Sequence, residues 1–146
     1  MRTSLIDPAA ISIQDSVDSF SEAISLSTQL LVKSGHAKAS YVSRVMENFE
    51  RLGPYFVVAP AIALAHAAPG EDVVSPGLSL LKLNQPVVSG ALENDPIILL
   101  FSLCTPDSNS HIDLMSEFAK LMGDPEIVNS LLNASAESVI REIFQT

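Results

Sequence analysis

Basic residues are scarce in this chain. Eight lysines and arginines stand against 17 aspartates and glutamates, for a formal net charge of -9. The bases, Arg2, Lys33, Lys38, Arg44, Arg51, Lys82, Lys120 and Arg141, are scattered. No cluster of them can neutralise a row of phosphates, so nucleic acid is not expected as a partner. Charge steering favours a basic partner surface instead. Cysteine occurs once, as Cys104, which excludes an intramolecular disulfide. The Cys/His spacings of metal sites are missing too, so no metal is expected. Cys104 closes the apolar run IILLFSLC, which predicts a buried thiol. Proline and glycine are too few to suggest disorder. The N-terminal stretch MRTSLIDPAAISIQDS lacks the apolar core of a signal peptide, and a cytoplasmic protein is expected.

Long apolar runs are also few. Residues 52–70, LGPYFVVAPAIALAHAAPG, carry no formal charge and approach the about 20 apolar residues of a membrane helix. Three prolines, two glycines and His66 interrupt the stretch, and Glu50, Glu71 and Asp72 flank it. It reads as buried core and not as a membrane span.

What is present fits one domain over residues 1–146, with 47% apolar residues to build a core. Residues 9–14 alternate weakly, as a short strand does. Ser19-x-x-Glu22 has the form of a capping box before a helix that Gly35 stops. A second helix starts near Ser40, with Val42, Val45, Met46, Phe49 and Leu52 on one face, and Gly53-Pro54 ends it. Tyr55–Val58 and Ile62–Leu64 read as strand around Pro60, which can give no ladder donor. Leu78–Leu83 and Pro96–Leu103 are further strands, the latter continuously apolar as if covered on both faces. A helix from Ser110 is stopped by Gly123. Asp124-Pro125 opens another through Leu132, and Ser135 caps the last. Helices before, between and after the strands predict an α/β fold: a mixed central β-sheet covered by helices on both faces, a three-layer sandwich.

The common catalytic signatures are absent. The chain has no G-x-x-x-x-G-K-[ST] phosphate loop, no G-x-G-x-x-G and no G-x-S-x-G. Nothing points to a nucleotide or other cofactor. The histidines say more. His36 follows the Gly35 stop and reads as a surface loop residue. His66 ends an apolar segment before the turn Ala67-Ala68-Pro69-Gly70. His111 follows an apolar strand and the polar loop Asp107-Ser108-Asn109-Ser110. Each of these two sits just beyond the C-terminal end of a predicted strand, the edge where α/β sheets bind ligands. If the strands are parallel, the two rings can share one shallow site. Two imidazoles suit metal binding, acid/base catalysis or phosphoryl handling. Metal binding needs a third ligand that no spacing supplies. Phosphoryl handling fits better, since a neutral imidazole is a nucleophile near its unperturbed pKa of about 6.5. A helix start at Ser110 would add free backbone N–H groups and a favourable dipole.

The run Gly53-Pro54-Tyr55-Phe56-Val57-Val58-Ala59-Pro60, followed by Ala61-Ile62-Ala63-Leu64-Ala65-His66, resembles the phosphorylation-site segment of enzyme IIA proteins in the sugar phosphotransferase system. The superfamily is the mannitol/fructose one, and GPYFVVAP is most similar to its ascorbate-type branch. Glu93-Asn94-Asp95-Pro96 before an apolar strand and Ser108-Asn109-Ser110-His111 at a helix start extend the resemblance from about Ser16 to Phe144. It implies a phosphotransferase that takes a phosphoryl group from the phosphocarrier protein HPr and passes it to a IIB component during sugar uptake. By the match, His66 is the phosphoryl acceptor and His111 its stabilising neighbour. It also implies the mixed sheet already read from the chain.

Two departures stand out. Family members usually have proline directly before the active histidine, where this chain has Ala65. Ascorbate-type members tend to carry a basic residue shortly after it, where this chain has Ala67-Ala68. Arg51 lies one position from where mannitol-type members place an arginine near the site. Ala65 gives some support to a second reading, a regulatory protein of the same fold that reports phosphorylation without feeding a transporter. A third is an unrelated small-molecule binding domain with structural histidines.

Overall fold

The computed structural model describes residues 6–145. The chain runs through β1 (Ile6–Gln14), α1 (Phe20–Lys33), α2 (Ala39–Leu52), a 3-10 turn (Gly53–Phe56), β2 (Val57–Ala59), β3 (Ile62–His66), β4 (Gly77–Val87), β5 (Ile97–Cys104), α3 (Ser108–Met122), α4 (Pro125–Asn133) and α5 (Glu137–Gln145). The strands form one mixed sheet in the order β1-β4-β5-β3-β2. β1 runs parallel to β4, β4 antiparallel to β5, β5 parallel to β3, and β3 antiparallel to β2.

Period-2 alternation splits the strand side chains between two cores. Ala63, Ala65, Leu81, Leu83, Leu100 and Cys104 pack under α1 and α2. Ile62, Leu64, Leu78, Leu80, Leu99, Phe101 and Leu103 pack under α3, α4 and α5. The three-layer α/β architecture expected from the sequence is therefore present. α1 lies close on the sheet through small polar residues that satisfy one another. The hydroxyls of Thr28 and Ser102 are 3.0 Å apart, and Ser79 Oγ donates to the Ser27 carbonyl at 2.7 Å. All four are buried.

Local signals set most boundaries. Ser19 Oγ accepts from the Glu22 N–H at 3.1 Å, while the Glu22 carboxylate reaches back to the Asp18 N–H at 2.7 Å. α2 ends on Gly53 at φ +58°, in the left-handed region that glycine enters at little cost. Two expectations need correction here. Tyr55 and Phe56 are not strand: with Pro54 in its first turn, the segment closes as a 3-10 turn, and β2 begins only at Val57. α3 begins at Ser108 and not at Ser110, because the Asp107 carboxylate captures the Ser110 N–H at 2.8 Å and makes Asp107 the N-cap. The uncharged stretch 52–70 is spread over a helix end, the 3-10 turn, two strands and a loop. No helix among the described residues is long and apolar enough to cross a membrane.

Candidate active site

The parallel ladder between β3 and β5 builds the site. Its register pairs Ile62 with Leu99 and ends by pairing His66 with Leu103. His66 is thus the last residue of β3, and the chain leaving β5 turns through Thr105 and Pro106 into α3. His111 lies at the fourth position of that helix. The two sequence-predicted histidines are brought together, with ring centroids 5.9 Å apart and planes inclined by 47°. The Phe56 ring also packs against His66, at 5.7 Å. Placing Phe56 beside the histidine is the structural consequence of the 3-10 turn.

His66 is half-buried, and its Nδ1 lies 3.4 Å from the Leu64 carbonyl. A carbonyl can only accept, so Nδ1 carries the hydrogen in this contact and Nε2 keeps its lone pair. Burial pushes the His66 pKa below its usual value; the Leu64 carbonyl opposes this, and His111 adds a smaller push in the same direction. A neutral ring with a free Nε2 pair can act as a nucleophile without first losing a proton.

His111 is also half-buried, with Nδ1 3.3 Å from the hydroxyl of Thr105. The backbone around it differs from the sequence expectation. The Ser110 N–H is taken by Asp107, and the His111 N–H donates to the Asp107 carbonyl at 3.1 Å. The hydroxyl of Ser110 donates to Asp107 as well. These two N–H groups are therefore occupied, and the imidazole is what His111 offers to a ligand.

A stripe on α2 holds the chain that follows His66. Tyr41, Arg44 and Asn48 are spaced as one helical face. Asn48 Nδ2 donates to the His66 carbonyl at 3.4 Å. The Tyr41 hydroxyl accepts from the Ala67 N–H at 3.0 Å and donates to the Leu103 carbonyl at 2.5 Å. Arg44 Nη1 donates to the Ala68 carbonyl at 2.8 Å, and its other nitrogens bind both Asp72 oxygens at 2.9 and 2.6 Å. Three consecutive residues, 66 to 68, thus each have a backbone group bound by α2. Arg51 Nη2 donates to Asn48 Oδ1 at 2.6 Å. Pairing with Arg44 holds the Asp72 carboxyl below its ordinary range, and burial raises the Tyr41 phenol.

Sequence reasoning missed Tyr41, Arg44, Asn48, Thr105 and Phe56. The helical spacing of the first three was readable, but their targets lie 18 to 26 residues away along the chain. His36 is not part of the pair. It is no loose surface residue either: Nδ1 meets Ser75 Oγ at 2.8 Å and Nε2 meets Asp7 Oδ2 at 3.2 Å, so it clasps β1 to the segment before β4. Cys104 is buried as expected, and burial pushes its thiol up to about 12.

The family described as phosphoenolpyruvate-dependent sugar phosphotransferase system, EIIA 2, matches residues 4–146. The ascorbate-specific PTS system EIIA component of Escherichia coli K12 is 28% identical over 145 residues, which are 99% of this chain and 94% of that protein. The solution structure of the E. coli mannitol-specific cryptic phosphotransferase enzyme IIA CmtB superposes with a TM-score of 0.85 at 30% identity, covering 96% of this chain and 95% of that one. The fold is shared as well with E. coli IIAMtl in its complex with phosphorylated IIBMtl, at a TM-score of 0.79, 19% identity and coverage of 95% and 96%. On the match along residues 4–146, the chain belongs to the EIIA 2 family of the phosphoenolpyruvate-dependent sugar phosphotransferase system, whose members are phosphotransferases that carry a phosphoryl group.

Proposed function

We propose that this chain acts as one IIA domain in the cytoplasm, a phosphohistidine carrier in which His66 takes a phosphoryl group from phosphorylated HPr and hands it to a IIB component. The observation that carries the reading is the half-buried His66 ring with its Nδ1 turned to the Leu64 carbonyl and a second imidazole at a centroid distance of 5.9 Å. The Nε2 lone pair of His66 forms the new N–P bond as the donor's N–P bond breaks and returns its pair to the donor ring. The reverse exchange delivers the phosphoryl group to IIB. His111 donates a hydrogen bond to the phosphoryl oxygens and is not the nucleophile. Positioning and charge stabilisation are most of what such a transfer asks of the protein.

The IIB acceptor is supported by the complex of the E. coli mannitol IIA fold relative with phosphorylated IIB. An ascorbate-type sugar acid is supported by the similarity to the ascorbate-specific component. The regulatory alternative rests on Ala65. In this structure Ala65 sits inside the β3–β5 ladder, and its carbonyl accepts from Ser102 Oγ at 3.2 Å. With α2 fixing the next three residues, proline is not needed to set the backbone at His66, and the transport reading is preferred. IIB and IIC genes beside this one would favour it further.

Incubation with phosphoenolpyruvate, enzyme I and HPr tests the carrier role. Intact mass should rise by one phosphoryl group, labile in acid and stable in base as a phosphoramidate is. His66→Ala should abolish the gain, and full labelling of that variant would refute the assignment.

A further inference from the structure

Thr105 lies between β5 and α3 and is fully buried, at 0% exposure. Its hydroxyl makes one hydrogen bond among the described residues, the 3.3 Å contact with His111 Nδ1. A buried hydroxyl needs an acceptor for its hydrogen. Were Nδ1 of His111 to carry a hydrogen, the Thr105 hydrogen would have no acceptor among the described residues. Donation from Thr105 to an unprotonated Nδ1 satisfies both groups. The neutral His111 ring then carries its hydrogen on Nε2.

We infer that Thr105 is a positioning residue, which fixes the His111 ring in the tautomer whose Nε2–H is free to donate beside His66. The inference rests on the carrier reading for its purpose but not for its geometry. It makes the two rings complementary. At His66 the Leu64 carbonyl places the hydrogen on Nδ1 and leaves a lone pair on Nε2. At His111 the Thr105 hydroxyl does the opposite. One ring presents a nucleophile, and the other presents a donor for the oxygens of the group that the nucleophile receives. Such outer partners of a functional histidine set its tautomer and ring orientation. With the Ser110 and His111 backbone N–H groups already engaged by Asp107, the imidazole is what His111 offers to the site.

The test uses 15N-labelled full-length protein near pH 8, above the ordinary imidazole pKa of about 6.5. Long-range 1H–15N correlation spectra should show His111 with its hydrogen on Nε2 and His66 with its hydrogen on Nδ1. A His111 ring protonated on Nδ1 would overturn the inference. In rapid-quench assays with phosphorylated HPr, Thr105→Val should slow transfer to His66 on the order of tenfold. Thr105→Ser, which keeps the hydroxyl, should restore most of the rate. Thermal unfolding of both variants separates positioning from stability: a less stable Thr105→Val protein that transfers at the wild-type rate makes Thr105 structural only and ends the proposal. Failure of the carrier reading looks different. It would appear as no phosphoryl gain on the wild-type protein or as full labelling of His66→Ala, while the His111 spectrum would still report on Thr105.

Discussion

At the residue scale, the environment of His66 sets its chemistry. Burial is the largest influence and lowers its pKa below the usual 6.5. The ring therefore stays neutral and nucleophilic at pH values where a free histidine is already protonated. The rate of phosphoryl acceptance measured against pH should stay flat down through 6.5 and fall only below it. An inflection in the acceptor's profile above 6.5 would contradict the burial argument. The same shift is linked to folding, because the unfolded chain takes up this proton first as pH falls. The contribution of His66 to stability is complete above the unfolded value and is lost as pH drops through the lower folded one. His111 is tested by removing its ring. His111→Ala should remain able to accept on His66, with transfer slowed by about 10²–10³, the usual effect of losing one oxyanion donor. If His111 only braced the loop, His111→Gln would change stability and leave rapid-quench rates untouched.

At the element scale, α2 works as a backstop for the segment after β3. Its Tyr41 hydroxyl stands where the β3–β5 ladder ends, bridging Ala67 N–H and the Leu103 carbonyl. Tyr41→Phe keeps the packing and deletes both bonds inside a fully buried site. It should cost about 1–3 kcal/mol in urea denaturation, the penalty for buried polar groups left without partners. Transfer from HPr should slow as well, since Ala67 adjoins His66. An unchanged denaturation midpoint would mean that water or a shifted backbone replaces the phenol. Part of this element was legible beforehand. The helix, its approximate start and its Gly53 stop follow from spacing and capping. What the stripe grips did not, because Val45 and Phe49 mark the apolar face by periodicity alone, whereas Arg44 and Asn48 look like ordinary solvated residues until residues 66–68 are placed beside them.

At the scale of the whole molecule, the two covered faces of the sheet have different polar solutions. Under α1, small hydroxyl residues pair among themselves. Under α4, one lysine of β4 does the work. Lys82 is 5% exposed, and its ammonium donates to the Leu132 carbonyl at 2.8 Å and to the Ala134 carbonyl, closing the C-terminal end of α4. A cation there satisfies carbonyls that the helix leaves open and complements its dipole. Lys82→Ala should destabilise the fold by about 1–3 kcal/mol, with the loss concentrated in faster amide exchange across α4 and α5. Uniform acceleration over the whole sheet would instead point to a general packing defect. From the sequence, Lys82 was one scattered base among eight; only its position opposite the end of α4 gives it this role.

Features that depend on near neighbours along the chain were readable without the fold. Apolar periodicity gave the strand and helix alternation of an α/β fold. Ser19, Gly35, Gly53, Gly123 and Asp124 marked helix ends, and the GPYFVVAP run with His66 carried the family. Tertiary structure decided what depends on register and docking. The parallel pairing of β3 with β5 brings His66 within reach of His111, though 45 positions separate them along the chain. Packing of α2 gives residues 66–68 their partners, and the turn into α3 sets Thr105 behind His111. Even the start of α3, expected at Ser110 and found at Ser108, was settled only by geometry, because the Asp107 carboxylate captures the Ser110 N–H. Hydrogen bonds across tens of residues form only once burial of the apolar faces has fixed the register, so no local pattern could have announced them.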